Sequence, residues 1–310
     1  MKQKQIILVT GATGAQGGSV AYALLNQQIF SVRILTRNPD SERAQALKQA
    51  GAEVVEGDMG NPASLAKALE GCYGVFGVTN FWEHFEQEFK HGKNLIEAVH
   101  SSGVKHVVLS TLADYQGMTG GALRVPHFDL KAELEGYAKS LQLPATFLRV
   151  AFYYENFLGF IPLQKGRGDY YTFGFPQGDT RLSMASAEDI GGIVSTIFGH
   201  PAEYIGRVVG AVGEDRPCAE YAAIMSRVFG RDIRYQYIPH EDYAGLDFPG
   251  AEELANMFEV QRLYIPNRQM DLIESYGLNP SMQTLEQWLT KNKDKFEEMF
   301  AAGEREAVAL

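Results

Sequence analysis

Along the first half of the chain the apolar positions follow two rhythms. Short apolar, β-branched runs are each followed by a longer segment in which apolar residues recur every three or four positions. Ile6-Ile7-Leu8-Val9-Thr10 reads as a buried strand, and a helical pattern opens over Val20 to Leu25. Ser31 to Pro39 alternates as a second strand, and Asp40 to Ala50 has helical spacing with acids at its start and Gly51 just past its end. Ala52 to Asp58 is a third strand. A helix started by Pro62 and closed by Gly71 leads to a fourth, Gly74 to Thr79. The amphipathic segment Glu83 to Ser102 ends at Gly103 and precedes a fifth strand, Lys105 to Thr111. A helix over about Pro126 to Ser140 precedes a sixth, Ala145 to Val150. Strands and helices in this alternation, joined by right-handed crossovers, predict an α/β fold of Rossmann type with a doubly wound parallel sheet.

Beyond residue 150 the rhythm loosens. Aromatic residues and glycines accumulate from Phe152 to Phe157 and from Gly166 to Gly178, which is where a substrate pocket is expected. Helices are predicted over Ala187 to Phe198 and Pro217 to Phe229, and strands over Arg207 to Val212 and Asp232 to Ile238. Together they would form a smaller α/β C-terminal annex. Further amphipathic helices fall at Glu252 to Leu263 and Gln283 to Phe296, and the tail after Ala301 is expected to fray. The expected division is a nucleotide-binding domain over 1–150 and a substrate- or partner-binding region over 151–310, with part of the chain returning to the sheet after residue 180.

The chemistry begins at the first strand-to-helix turn, where Gly11, Gly14 and Gly17 stand at G-x-x-G-x-x-G spacing. Gly11 permits a tight turn, Gly14 lets backbone approach a pyrophosphate, and Gly17 lets the helix pack closely. The helix N-terminus adds unpaired N–H donors and the positive end of its dipole. In an NAD site the second strand ends, about twenty residues on, in an acid that binds the ribose 2′-hydroxyl. This chain has Arg37 there instead. A guanidinium accepts a 2′-phosphate through two parallel N–H bonds, so NADP(H) is favoured over NAD(H).

Composition narrows the classes. At 310 residues, 45% hydrophobic and 21% charged, the chain can bury a large core without covalent staples. Cys72 and Cys218 make no disulfide framework or metal pairing, and the scattered histidines give no ligand spacing, so no metal is expected. A nucleophile-elbow pattern is missing too, which argues against acyl transfer. A net charge of −10 disfavours direct nucleic-acid binding. No apolar run reaches bilayer length and the opening residues lack a leader pattern, so the expectation is a cytoplasmic protein that neither spans nor anchors to a membrane.

Several longer motifs carry a resemblance. Gly11-Ala12-Thr13-Gly14-Ala15-Gln16-Gly17-Gly18, Thr36-Arg37-Asn38-Pro39, Val78-Thr79-Asn80-Phe81-Trp82-Glu83, His127-Phe128-Asp129-Leu130-Lys131, Tyr154-Glu155-Asn156 and Phe248-Pro249-Gly250-Ala251 resemble the NmrA-like family of atypical short-chain dehydrogenase/reductases, especially its redox-sensor branch. The resemblance spans nearly the whole chain. It implies that Gly11, Ala12, Thr13, Gly14, Ala15 and Gln16 hold the pyrophosphate, Arg37 the 2′-phosphate, and Asp58 with Met59 the adenine. It also implies that Thr79, Asn80 and Phe81 line the path towards the nicotinamide, with Lys90, Lys131, Tyr153, Tyr154, Glu155 and Asn156 closing over the dinucleotide. Against this stand plainer roles: Asp58 as a turn cap, Lys90 on a solvated helix face, Tyr153 and Tyr154 as core aromatics.

Ordinary members of that superfamily use a Tyr-x-x-x-Lys pair on one helix face. Here the pair is His127 and Lys131. Lys131 can still reach ribose hydroxyls, and the His127 imidazole could give up a proton. In a first helical turn, however, the dipole disfavours an imidazolium, and a structural role for His127 is the weightier expectation. Ser110 and Thr111, at the carboxyl end of the fifth strand, could orient a substrate carbonyl or bond backbone. Two functions follow. One is an NADP(H) sensor that regulates a protein partner, with Trp82 to Phe89 and Tyr153 to Phe160 as its switch. The other is an NADPH-dependent reductase of a small apolar electrophile such as a quinone, enone, imine or dye. A homodimer is left open.

Overall fold

The computed structural model describes residues 4–84 and 87–308. Its centre is a seven-stranded parallel sheet. Strands β1 (Ile6–Val9), β2 (Ser31–Thr36), β3 (Glu53–Glu56), β4 (Cys72–Gly77), β5 (His106–Thr111) and β6 (Ala145–Val150) stand in the order β3-β2-β1-β4-β5-β6, and Val208–Ala211 is added beside β6. The order reverses between β1 and β4, and the crevice that opens there, at the carboxyl ends of the strands, is where such sheets bind ligands. Helices α1 (Ala15–Gln27) and α2 (Glu42–Gln49) pack on one face, with α3 (Pro62–Leu69), α5 (Glu88–Ser102) and α7 (Pro126–Ser140) on the other. Two short helices, α4 (Phe81–His84) and α6 (Tyr115–Met118), lie in the loops after β4 and β5.

The strand expected in the annex over Arg207 to Val212 belongs to the main sheet instead. It pairs Val208 with Phe147 and Ala211 with Val150, covering an edge that β6 would otherwise present to solvent. The helix before it, Ile190–Gly199, packs on α1. One glycine-scale approach and one hydroxyl set that contact. A Cβ on Gly191 would lie 2.2 Å from the carbonyl oxygen of Ser19, while the Ser19 hydroxyl donates to Glu188 O at 2.6 Å and accepts from Gly191 N at 2.9 Å.

The remaining chain builds two three-stranded sheets around an aromatic core. One joins Phe152–Tyr153, Arg181–Ala185 and Glu214–Pro217, and the other Gln164–Lys165, Tyr171–Phe175 and Ile233–Tyr237. Tyr171, Phe173 and Phe175 point inward on alternate positions, so part of the glycine-rich stretch is a strand. Phe175 stacks on Phe258 with centroids 4.5 Å apart, and Trp288, Phe296 and Phe300 complete the cluster. The helix expected over Gln283 to Phe296 is two helices, Leu285–Lys291 and Lys293–Val308, separated at Asn292, whose amide caps Trp288 O at 2.9 Å. The tail expected to fray after Ala301 is helical to Val308. Helix Gln269–Leu278, which covers the returning strand, has no counterpart among the expected elements. Among the described residues no helix is long and apolar enough to cross a membrane.

Replacing glycine by alanine in a helix interior ordinarily gains about 1 kcal/mol. At position 191 the new methyl meets rigid backbone, and forcing extra volume into a packed contact costs about 1–3 kcal/mol. Gly191→Ala is therefore expected to lower the urea midpoint at unchanged slope; a raised midpoint would show that the two helices separate freely.

Candidate functional site

The turn after β1 is built from backbone. Gly11 adopts φ +59°, the left-handed region, and its carbonyl accepts from Gly14 N at 2.9 Å. A Cβ on Gly17 would come within 2.3 Å of Gly11 O, so α1 starts in van der Waals contact with the turn. Thr10, absent from the expected site, locks this corner: its hydroxyl accepts from Val78 N at 3.0 Å, beyond the end of β4, and lies 3.3 Å from Val78 O.

In front of this turn lies a cavity of about 790 Å³. Gly11, Thr13, Gly14, Ala15, Gln16, Arg37, Asp58, Met59, Thr79, Asn80 and Tyr153 all border it, so the crevice gathers most of the residues expected at a nucleotide. Ala12 faces the core behind the turn. Arg37 stands at the end of β2, its guanidinium paired with the Glu83 carboxylate from α4. Asp58 caps its own turn, accepting from Gly60 N at 2.6 Å, while still bordering the cavity. The Tyr153 hydroxyl is buried beside Gln16, and burial pushes its pKa up while Gln16 opposes that shift.

Other expected residues stand away from the wall. Phe81 is buried against Trp82 and His127. Lys90 is exposed on α5, and its neighbour His91 borders the cavity instead. Tyr154 is a core residue against Trp288 whose hydroxyl donates to Glu214 at 3.4 Å. Glu155 is spent on Ser186 Oγ at 2.8 Å and Ala187 N at 3.1 Å, and Asn156 closes its own turn by accepting from Ile161 N at 2.7 Å. Ser110 donates to the Gln16 side chain at 2.8 Å and so supports the wall from behind. Thr111 points to the opposite side, donating to Glu135 at 2.8 Å within a group that includes Arg149 and Lys139.

Lys131 is the most consequential of these. Its ammonium donates to Thr79 O at 3.0 Å, Thr79 Oγ1 at 2.8 Å and the Glu88 carboxylate. That uses all three donors of a lysine. Burial pulls its pKa below the ordinary lysine value, and the Glu88 carboxylate opposes that shift. One turn earlier, His127 Nδ1 and its backbone N–H both meet Glu253 Oε1, the latter at 2.7 Å. The imidazole sits in a cage of Phe81, Trp82 and Phe128.

Glu83, Glu88, His91 and Glu253 look in the sequence like any solvated or helix-face position. Arg43, which donates to Thr13 O at 2.8 Å and borders the cavity, was legible as a second cation six places after Arg37. Among the described residues no group of histidines, cysteines or acids could hold a metal ion.

A doubly wound sheet with a glycine turn and a cation at the switch-point crevice defines a protein of the nucleotide-binding Rossmann class. The chain belongs to the NmrA-like family, whose model matches residues 3–299. It is 35% identical over 274 residues to the NmrA-like family domain-containing oxidoreductase FrzB of Cladobotryum sp, covering 81% of each chain. Two solved structures share its fold. One is NmrA, a negative transcriptional regulator in complex with NADP, with TM-score 0.78, 21% identity and coverage of 93% of this chain and 95% of that one. The other is the NADPH-dependent quinone oxidoreductase QOR2 of Escherichia coli complexed with NADPH, with TM-score 0.73, 22% identity and coverage of 96% and 100%.

Glu88 is wholly buried, so removing its cation leaves an uncompensated charge. Lys131→Ala is expected to lose about 3–5 kcal/mol in chemical denaturation, and combining Lys131→Met with Glu88→Gln should recover most of that loss. An unchanged midpoint in Lys131→Ala would mean that the pair does not hold the helices together.

Proposed function

We propose that this protein binds NADP(H) in the β1/β4 crevice and acts as a nucleotide or redox sensor regulating a protein partner. Gly11 to Gln16 hold the pyrophosphate, Arg37 the 2′-phosphate, and Asp58, Met59 and His91 surround the adenine end. The NADP and NADPH complexes of the two fold neighbours support the choice of ligand. The observation that carries the sensor reading is Lys131. In this chain the tyrosine of the usual pair is replaced by His127, and the three donors of the lysine are engaged by Thr79 and Glu88. Sensing requires that the nucleotide bind two conformations unequally. The switch elements are α4, whose Glu83 meets Arg37, and the turn Tyr154–Leu158; Phe85 and Glu86 of the expected switch lie outside the described residues.

A second reading, reduction of a small apolar electrophile, is favoured by the His127–Glu253 contact. A carboxylate on Nδ1 fixes the tautomer and orientation of an imidazole, as in acid–base sites. Bound NADPH supplies the hydride; His127 would then hold the proton, and Trp82 with Phe160, centroids 5.4 Å apart, would exclude water.

Titration calorimetry paired with loss of NADPH absorbance over a panel of quinones, enones, imines and dyes separates the two. The sensor reading expects NADPH binding at least about tenfold weaker in Arg37→Gln, without turnover of any panel member. Turnover that falls by about 100-fold in His127→Gln and in Glu253→Gln, with NADPH affinity kept, would establish the reductase.

A further inference from the structure

Arg37 and Glu83 meet across the mouth of the cavity, and Asn80 Nδ2 holds the other Glu83 oxygen at 3.2 Å. An acid paired with the cation that would take a 2′-phosphate is at odds with a site shaped for that group alone. Both residues border the cavity, so the pair is part of its wall. We propose that Glu83 is a specificity-determining residue of this crevice: it competes with a ribose 2′-phosphate for Arg37 and narrows the preference for NADP(H) over NAD(H).

The chemistry has two parts, and both rest on the NADP(H) reading of the crevice. To receive a 2′-phosphate through both prongs of its guanidinium, Arg37 must release the carboxylate now held by its Nη2. Glu83, once released, stands beside a doubly charged anion and repels it. A neutral 2′-hydroxyl imposes neither penalty. It is a donor, and a carboxylate at this end of the crevice is the group that NAD sites use to accept from it. Arg37 and Glu83 thus present the acceptor for one nucleotide and the donor for the other within a single ion pair.

The magnitude is bounded by exposure. The two side chains keep 53% and 45% of their surface in solvent, and an ion pair so exposed changes an equilibrium by up to about fivefold. Glu83 therefore adjusts the preference without reversing it. The same exposure eases substitution, because Arg37, with half its side chain in solvent, is not left as a buried charge.

The test is calorimetric titration of NADPH and NADH into the wild-type protein, Glu83→Gln, Arg37→Gln and the double variant. Glu83→Gln is expected to tighten NADPH about fivefold while NADH stays level or weakens, and the gain should shrink as salt is raised. In the Arg37→Gln background, Glu83→Gln should bring a smaller gain, because the competition is gone and only repulsion remains. An unchanged or lowered NADPH-to-NADH preference in Glu83→Gln overturns the proposal, yet leaves the NADP(H) reading standing if Arg37→Gln still weakens NADPH. Failure of the wild-type protein to bind either nucleotide overturns both.

Discussion

The closeness with which α1 is seated on the preceding turn governs the rest of the crevice. Only a hydrogen fits between Gly17 and the Gly11 carbonyl, so the helix begins within contact distance of the strand end it follows. That brings its unpaired N–H groups to the point where β1 and β4 part, and Thr10 holds the two strand ends at a fixed spacing with one hydroxyl. A side chain at position 17 would push the helix axis outwards and carry the donors away from the cavity. The orientation of these donors belongs to the backbone arrangement, and the side chains around the rim complete the cavity wall.

The Lys131–Glu88–Thr79 group shows how a position associated with chemistry is recruited for architecture. It ties α7 to α5 and to the backbone just beyond β4, and Thr79 is itself part of the cavity wall. The same few atoms therefore connect the nucleotide side of the crevice with the helix bearing His127. Because the carboxylate is wholly buried, the connection is stiff; a solvated pair would yield far more easily.

The main sheet was legible because each βαβ unit is local: a run of apolar residues, a helix, and a glycine at the junction. Elements that depend on distant partners were not. Val208–Ala211 reads as a strand, but only the free edge of β6 decides which sheet it joins. Tyr171, Phe173 and Phe175 alternate inward, yet the glycines around them conceal the strand. At the crevice, the placement of the glycine turn and Arg37 at one cavity was readable from spacing, because a strand, its turn and the following βα unit are local. Glu83 and Glu253 were not, since their partners lie 46 and 126 residues away.

The returning segment also has a consequence in time. Gly191 and Ser19, the residues at the contact that covers α1, are 172 residues apart. At ordinary rates of synthesis, about 5–20 residues per second, roughly 9–34 s separate the appearance of the two partners. As that interval passes the first six strands are made and can pair, but the outer face of α1 stays uncovered until its end, and the edge of β6 until Val208–Ala211 follows. The nascent protein must keep that apolar surface and open edge away from its neighbours until the seventh strand is made, a demand that the finished fold no longer shows.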